Sequence, residues 1–151
     1  MFCVKCKIIS QHIFIRNQVI KMTAKEVLKH YFGYDSFRKG QEGIITAITA
    51  GRDVLAVMPT GAGKSICYQV PALMLPGITL VISPLISLMQ DQVKALNEAG
   101  IHAAFINSSL TETQISKALA LAAKGVYNII YVAPERLESE RFLQFALNGQ
   151  I

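Results

Sequence analysis

The stretch MPTGAGKSICYQ, Met58 to Gln69, sets the narrowest limit on the fold of this chain. It follows an apolar run, DVLAVM, that reads as a strand, and it passes into a segment without turn residues that reads as a helix. A strand that turns through glycines straight into a helix is the setting in which a turn can hold phosphate. Gly61 and Gly63 can take the positive φ values that aim successive backbone N–H groups inward at phosphate oxygens. The helix start adds a partial positive charge, and Lys64 adds a point charge for the β- and γ-phosphates of a nucleotide. Ser65 can place its hydroxyl on Mg²⁺, which makes Lys64 and Ser65 the candidate catalytic pair. The general pattern has glycine where this chain has Met58. An ordinary strand-to-helix turn with a surface lysine is the plainer reading, but strand, turn, Gly-Lys-Ser and helix seldom coincide by chance.

The rest of the chain supplies the sheet that such a turn needs. ITLVIS (78–83), HAAFIN (102–107) and NIIYVA (128–133) join DVLAVM (53–58) as predicted strands. Helical patterns lie between them, over roughly 64–75, 85–99 and 111–124. Short strands separated by helices of this length require right-handed crossovers and a mostly parallel sheet, an α/β fold. Upstream, Thr23 and Glu26 form a capping box, with Val27, Leu28, Tyr31 and Phe32 at helical spacing and Gly33 as the stop. The domain therefore begins at about Met22. Residues 1–22, with no turn residues and no clear period, form an N-terminal extension of open role, and 23–151 form the nucleotide-binding portion.

Composition excludes several classes. With 151 residues, 52% of them hydrophobic, the chain can bury the core of one domain. A net charge of +5 suits an anionic partner, nucleotide or nucleic acid, without choosing between them. Cys3, Cys6 and Cys67 are too few for a disulfide framework, and Cys3 with Cys6 makes only half a zinc site, so incidental thiols in a reducing compartment are the better reading. Ser65 to Gln90 carries no charge, but Pro71, Pro76, Gly77 and Pro84 break it, so buried strand and helix explain it better than a membrane span. The N-terminus lacks the apolar run and cleavage site of a secretory signal. His12, His30 and His102 have no ligand partners nearby in sequence.

Three other stretches carry chemistry of their own. Around FGYDSFRKGQ (32–41), Tyr34 offers a flat ring, while Arg38 and Gln41, three apart on a helix expected to start near Phe37, share a face. A glutamine amide matches N6 and N7 of adenine, although a solvated helix face beside a core Phe37 fits these residues equally well. VISPLISLMQDQV (81–93) puts Ser83 and Pro84 at the C-terminal end of a strand, where open parallel sheets bind ligands, and Ser83 to Ser87 can meet nucleic-acid phosphate at a helix start. Simple capping, with Leu85, Leu88 and Met89 in the core, is the alternative. YVAPERL (131–137) places Pro134, Glu135 and Arg136 at a second strand end.

MPTGAGKSICYQVPAL resembles motif I of RecQ-type helicases of superfamily 2, whose loop also begins Met-Pro-Thr. FGYDSFRKGQ resembles their motif 0, VISPLISLMQDQV motif Ia and YVAPERL motif Ib, in the family's order and across about 28–147. The resemblance implies a P-loop NTPase with a RecA-like three-layer domain, a mostly parallel sheet, and a break before the Walker B strand. It implies ATP and Mg²⁺ as cofactors, with Tyr34, Arg38 and Gln41 on the base and Thr60, Gly61, Ala62, Gly63, Lys64 and Ser65 on phosphate and metal. It puts Ser83, Pro84, Ser87, Gln90, Pro134, Glu135 and Arg136 on single-stranded or partly duplex DNA. It further implies a second RecA-like domain downstream, 3′ to 5′ unwinding in DNA repair and recombination, zinc-binding and winged-helix modules beyond Ile151, and a bacterial cytoplasmic, nucleoid-associated or eukaryotic nuclear location. A P-loop small-molecule kinase or a non-catalytic nucleotide-binding module would share Lys64 and Ser65 but has no use for motif 0 or APERL.

Hydrolysis needs a carboxylate at a strand end beside the phosphate loop. Asp53 precedes its strand, Asp91 falls within a helix, and Glu135 follows a proline in a motif with another duty. The expectation is that these residues hold a nucleotide without spending it, and that the edge of the strand ending at Met58 is left unpaired.

Overall fold

The structure, a computed structural model, describes residues 2–4, 22–148 and 151. It divides into two compact units, Met1–Leu75 and Pro76–Ile151. Most of the N-terminal extension, Cys6 and His12 included, lies outside the described residues.

The first unit holds strand β1 (Phe2–Val4), helices α1 (Ala24–Phe32) and α2 (Gln41–Thr49), strand β2 (Val54–Ala56) and helix α3 (Ile66–Met74). The capping box is present: Glu26 N donates to Thr23 Oγ1 at 3.3 Å, and Thr23 N donates to Glu26 Oε2 at 2.6 Å. The N–H of Thr23 holds the Glu26 carboxyl below its usual range. Gly33, at φ 71°, ends α1 in the left-handed region. Val27, Leu28, Ile45, Ile66 and Val70 form the core, and Phe37 packs against it as expected. Each of these side chains contributes about 1.5–3 kcal/mol on leaving water.

Two sequence expectations are corrected here. The helix expected near Phe37 starts at Gln41, because Gly40 at φ 88° is left-handed and cannot continue a helix back toward Arg38. The strand expected over 53–58 is shorter and pairs antiparallel with β1, Cys3 opposite Leu55, so one edge expected to stand open has a partner. It ends at Ala56, opposite Phe2, and beyond it the carbonyls of Met58 and Pro59 accept from the Lys64 ammonium.

The second unit is a parallel α/β layer: β3 (Thr79–Ile82), α4 (Ile86–Glu98), β4 (Ala103–Ile106), α5 (Glu112–Ala123), β5 (Ile129–Val132), a 3₁₀ turn (Pro134–Arg136) and α6 (Glu140–Asn148). The strands lie in the order β3-β5-β4. All four residues of central β5 are buried, which accounts for its unbroken apolar run. Ile82 and Ile106 are both in register with Val132, so Ser83, Asn107 and Ala133 follow at one C-terminal edge. A second capping box, Thr111 with Gln114, starts α5. On α4 the buried residues are Met89, Val93 and Leu96, whereas Leu85 and Leu88 are 57% and 37% exposed, against the reading that put them in the core. Leu85 is the N-cap and Leu88 is turned about 100° from Met89, so neither faces the sheet. The sequence reading missed α6, whose Phe142 and Phe145 pack on the core of this unit. No helix among the described residues is long and apolar enough to cross a membrane.

A candidate nucleotide site and a candidate nucleic-acid edge

The turn between β2 and α3 is built as its glycines require. Gly61 has φ 81° and Gly63 φ 75°, both in the left-handed region. Among the described residues, the backbone N–H groups of Gly61, Gly63, Lys64 and Ser65 have no acceptor within the protein. Unsatisfied amides on successive residues form a nest with a net pull on anions. Lys64 Nζ donates to the carbonyls of Pro59 at 2.9 Å and Met58 at 3.3 Å, so the ammonium is folded back over its own loop. Ser65 is the N-cap of α3, and its side chain makes no capping bond, which leaves the hydroxyl for another partner.

Arg38 and Gln41 lie against this loop, although not on one helical face. Arg38 Nη1 donates to Gly61 O at 2.6 Å. Gln41, only 3% exposed, donates from Nε2 to Ala62 O at 3.2 Å and Gly63 O at 2.9 Å, and accepts from Arg38 N at 2.8 Å. The approach is close enough that a Cβ on Gly63 would sit 2.5 Å from Gln41 Nε2. Tyr34 is 52% exposed, in a turn tied to α1 by a 2.8 Å ion pair between Lys29 and Asp35. That pair raises the pKa of Lys29 and lowers that of Asp35. The structure also gives Met58 a partner the sequence reading missed: Cys67 Sγ lies 3.7 Å from Met58 Sδ, and burial raises the thiol pKa.

At the edge of the second unit the expected residues divide. Pro84, Ser87, Gln90, Pro134 and Glu135 are exposed. Ser83 is buried, its hydroxyl accepting from Leu85 N at 3.3 Å. The resemblance puts Ser83 on DNA, and a hydroxyl that accepts from Leu85 N still has its own proton to donate. Arg136 is turned inward, with Nη1 3.7 Å from Glu112 Oε1. Beside them stands a turn that no motif flagged: buried Asn107 accepts through Oδ1 from Ser109 N at 3.0 Å and Ser109 Oγ at 2.6 Å. The only signal for it was a polar Asn-Ser-Ser directly after an apolar strand.

Residues 38–148 match the DEAD/DEAH box helicase family. The chain belongs to that family. It is 54% identical over 122 residues to the ATP-dependent DNA helicase RecQ of Bacillus subtilis, a match covering 80% of this chain and 21% of that protein. It is 53% identical over 124 residues to RecQ of Haemophilus influenzae, covering 82% of this chain and 20% of the relative. An Arabidopsis thaliana protein, ATP-dependent DNA helicase Q-like 5, is 46% identical over 118 residues, 78% of this chain and 13% of its own length. The chain thus spans about a fifth or less of the length of these relatives.

The loop thus holds amides without an acceptor among the described residues, an ammonium folded over its own carbonyls and a Ser65 hydroxyl that makes no capping bond. Gln41 and Arg38 touch the loop through its carbonyls, which the spacing in sequence did not indicate.

Proposed function

We propose that this chain is the ATP-binding portion of a RecQ-type ATP-dependent DNA helicase. MgATP would be held on the Gly61–Ser65 loop and single-stranded DNA phosphate at the C-terminal edge of β3, β5 and β4. The observation that carries the nucleotide assignment is the set of amides at Gly61, Gly63, Lys64 and Ser65 with no acceptor among the described residues. When bound, the nucleotide supplies the phosphoanhydride whose cleavage drives movement along DNA.

The residues of the chain have separable duties in this reading. The four amides neutralise phosphate oxygens without needing to move. Lys64 would exchange the Met58 and Pro59 carbonyls for the β- and γ-phosphates, trading neutral acceptors for anionic ones. Ser65 turns its hydroxyl to Mg²⁺. Gln41 can present its amide to adenine only by giving up bonds to Ala62 O and Gly63 O, so base recognition and loop conformation are linked through one side chain. At the strand edge, exposed Ser87 and Gln90 and the backbone around Pro134 can meet phosphates without reading base edges. A second RecA-like domain of the longer protein would close over the site and supply an arginine to the transferred phosphate.

The test is a titration of the full-length protein with a fluorescent ATP analogue in the presence of Mg²⁺. Lys64→Ala should cut affinity by at least tenfold, the loss of one charged partner worth about 1.5–3 kcal/mol. Equal affinity in wild type and Lys64→Ala would sink the site assignment.

A further inference from the structure

Arg136 follows the exposed Pro134 and Glu135, yet its side chain is committed inside the fold. Only 23% of it is exposed, and Nη1 lies 3.7 Å from Glu112 Oε1 in the first turn of α5. Its Nε is buried and has no partner among the described residues. The backbone of the same residue is engaged on both sides: Arg136 N donates to Ala133 O at 2.9 Å, and Arg136 O accepts from Ser139 Oγ at 2.9 Å. Ser139 Oγ in turn accepts from Phe142 N at 3.4 Å in α6. Arg136 is therefore the joint where the end of β5, the start of α5 and the start of α6 meet. A cavity of about 60 Å³, lined by Glu112, Arg136, Ser139 and Arg141, lies at this joint. It has room for water, which can satisfy Nε.

An arginine that binds phosphate on an exposed edge keeps its fork of donors in solvent. This one is mostly covered, with Nη1 3.7 Å from the solvent-facing carboxylate of Glu112, and swinging it out would break that ion pair and open the joint. We infer that Arg136 is a positioning residue that braces the Pro134–Glu135 turn against α5 through Glu112, so that the exposed backbone of the turn meets DNA phosphate. Glu112, which belongs to none of the four motifs, is then part of the DNA-binding machinery. The inference rests on the strand-edge reading proposed above, and its test separates the two.

Single-stranded DNA affinity of the full-length protein is measured across a salt series for wild type, Arg136→Ala, Arg136→Lys, Glu112→Gln and the Arg136→Ala/Glu112→Gln double variant. The slope of affinity against salt counts the phosphates neutralised. A brace predicts that Arg136→Ala and Glu112→Gln each weaken binding by a similar factor, about three- to tenfold. The double variant should be no weaker than Arg136→Ala, and the slope unchanged. Lys should not rescue, because it lacks the fork and Nε. MgATP affinity should stay at the wild-type value throughout. A slope reduced by about one in Arg136→Ala, restored by Lys, with Glu112→Gln binding as well as wild type or better, would overturn the brace in favour of direct contact. Amide exchange over residues 134–139 tests it independently of DNA. Faster exchange in Glu112→Gln is expected, and unchanged exchange there refutes the brace even if the wild-type protein binds no DNA.

Discussion

Gly63→Ala separates the two reasons for a glycine in the phosphate loop. One is conformational: at φ 75° an L-residue costs about 1–2 kcal/mol. The other is spatial, since the new Cβ would lie 2.5 Å from Gln41 Nε2. On an exposed glutamine that clash would be relieved by a small rotation. Gln41 is buried and its Nε2 donates to both Ala62 O and Gly63 O, so moving it forfeits both bonds and strands a buried amide. That adds about 1–3 kcal/mol, for a total of about 2–5 kcal/mol, a large share of the stability of a small unit. Gly61→Ala is the control, because Gly61 has φ 81° but nothing within 4 Å of a built Cβ, so only the first cost applies. Native-state hydrogen exchange of the α3 amides reports the opening free energy of the unit that carries the loop. Gly63→Ala should exceed Gly61→Ala by about 1–3 kcal/mol, and the excess should vanish in a Gln41→Ala background. Equal costs for the two alanines, or an excess that survives without the Gln41 amide, would refute the contact.

Gln41→Ala should bring ATP and GTP affinities closer together in a competition titration, because the phosphate contacts remain while the amide for adenine is gone; a retained adenine preference counts against the base assignment. Cys67 should react slowly with iodoacetamide at neutral pH, since burial raises its pKa and keeps the thiolate scarce, and peptide mapping should find it labelled readily only after denaturation. The 151-residue chain should turn over no ATP with or without DNA, as none of its described strands ends in a carboxylate beside the loop; Lys64-dependent phosphate release would contradict this and point to Glu135.

The features legible in the chain alone are local. The two glycines before Lys-Ser mark a turn with positive φ, because glycine adopts that conformation at no steric cost. Thr23 with Glu26 marked a helix start, since a cap needs only side chains three positions away. The apolar run at 128–133 announced a strand, and burial of all four residues of β5 accounts for it. The tertiary structure decided where side chains point and what they find there. Arg38 and Gln41 reach carbonyls more than twenty residues away, a contact set by how α2 packs on α3 and not by their spacing. Arg136 reads as an exposed cation until α5 places Glu112 beside it. Neighbours in sequence fix backbone torsions, but a polar side chain takes whichever partner the packing of distant elements brings within 3 Å, because a buried donor left without one costs more than any local preference.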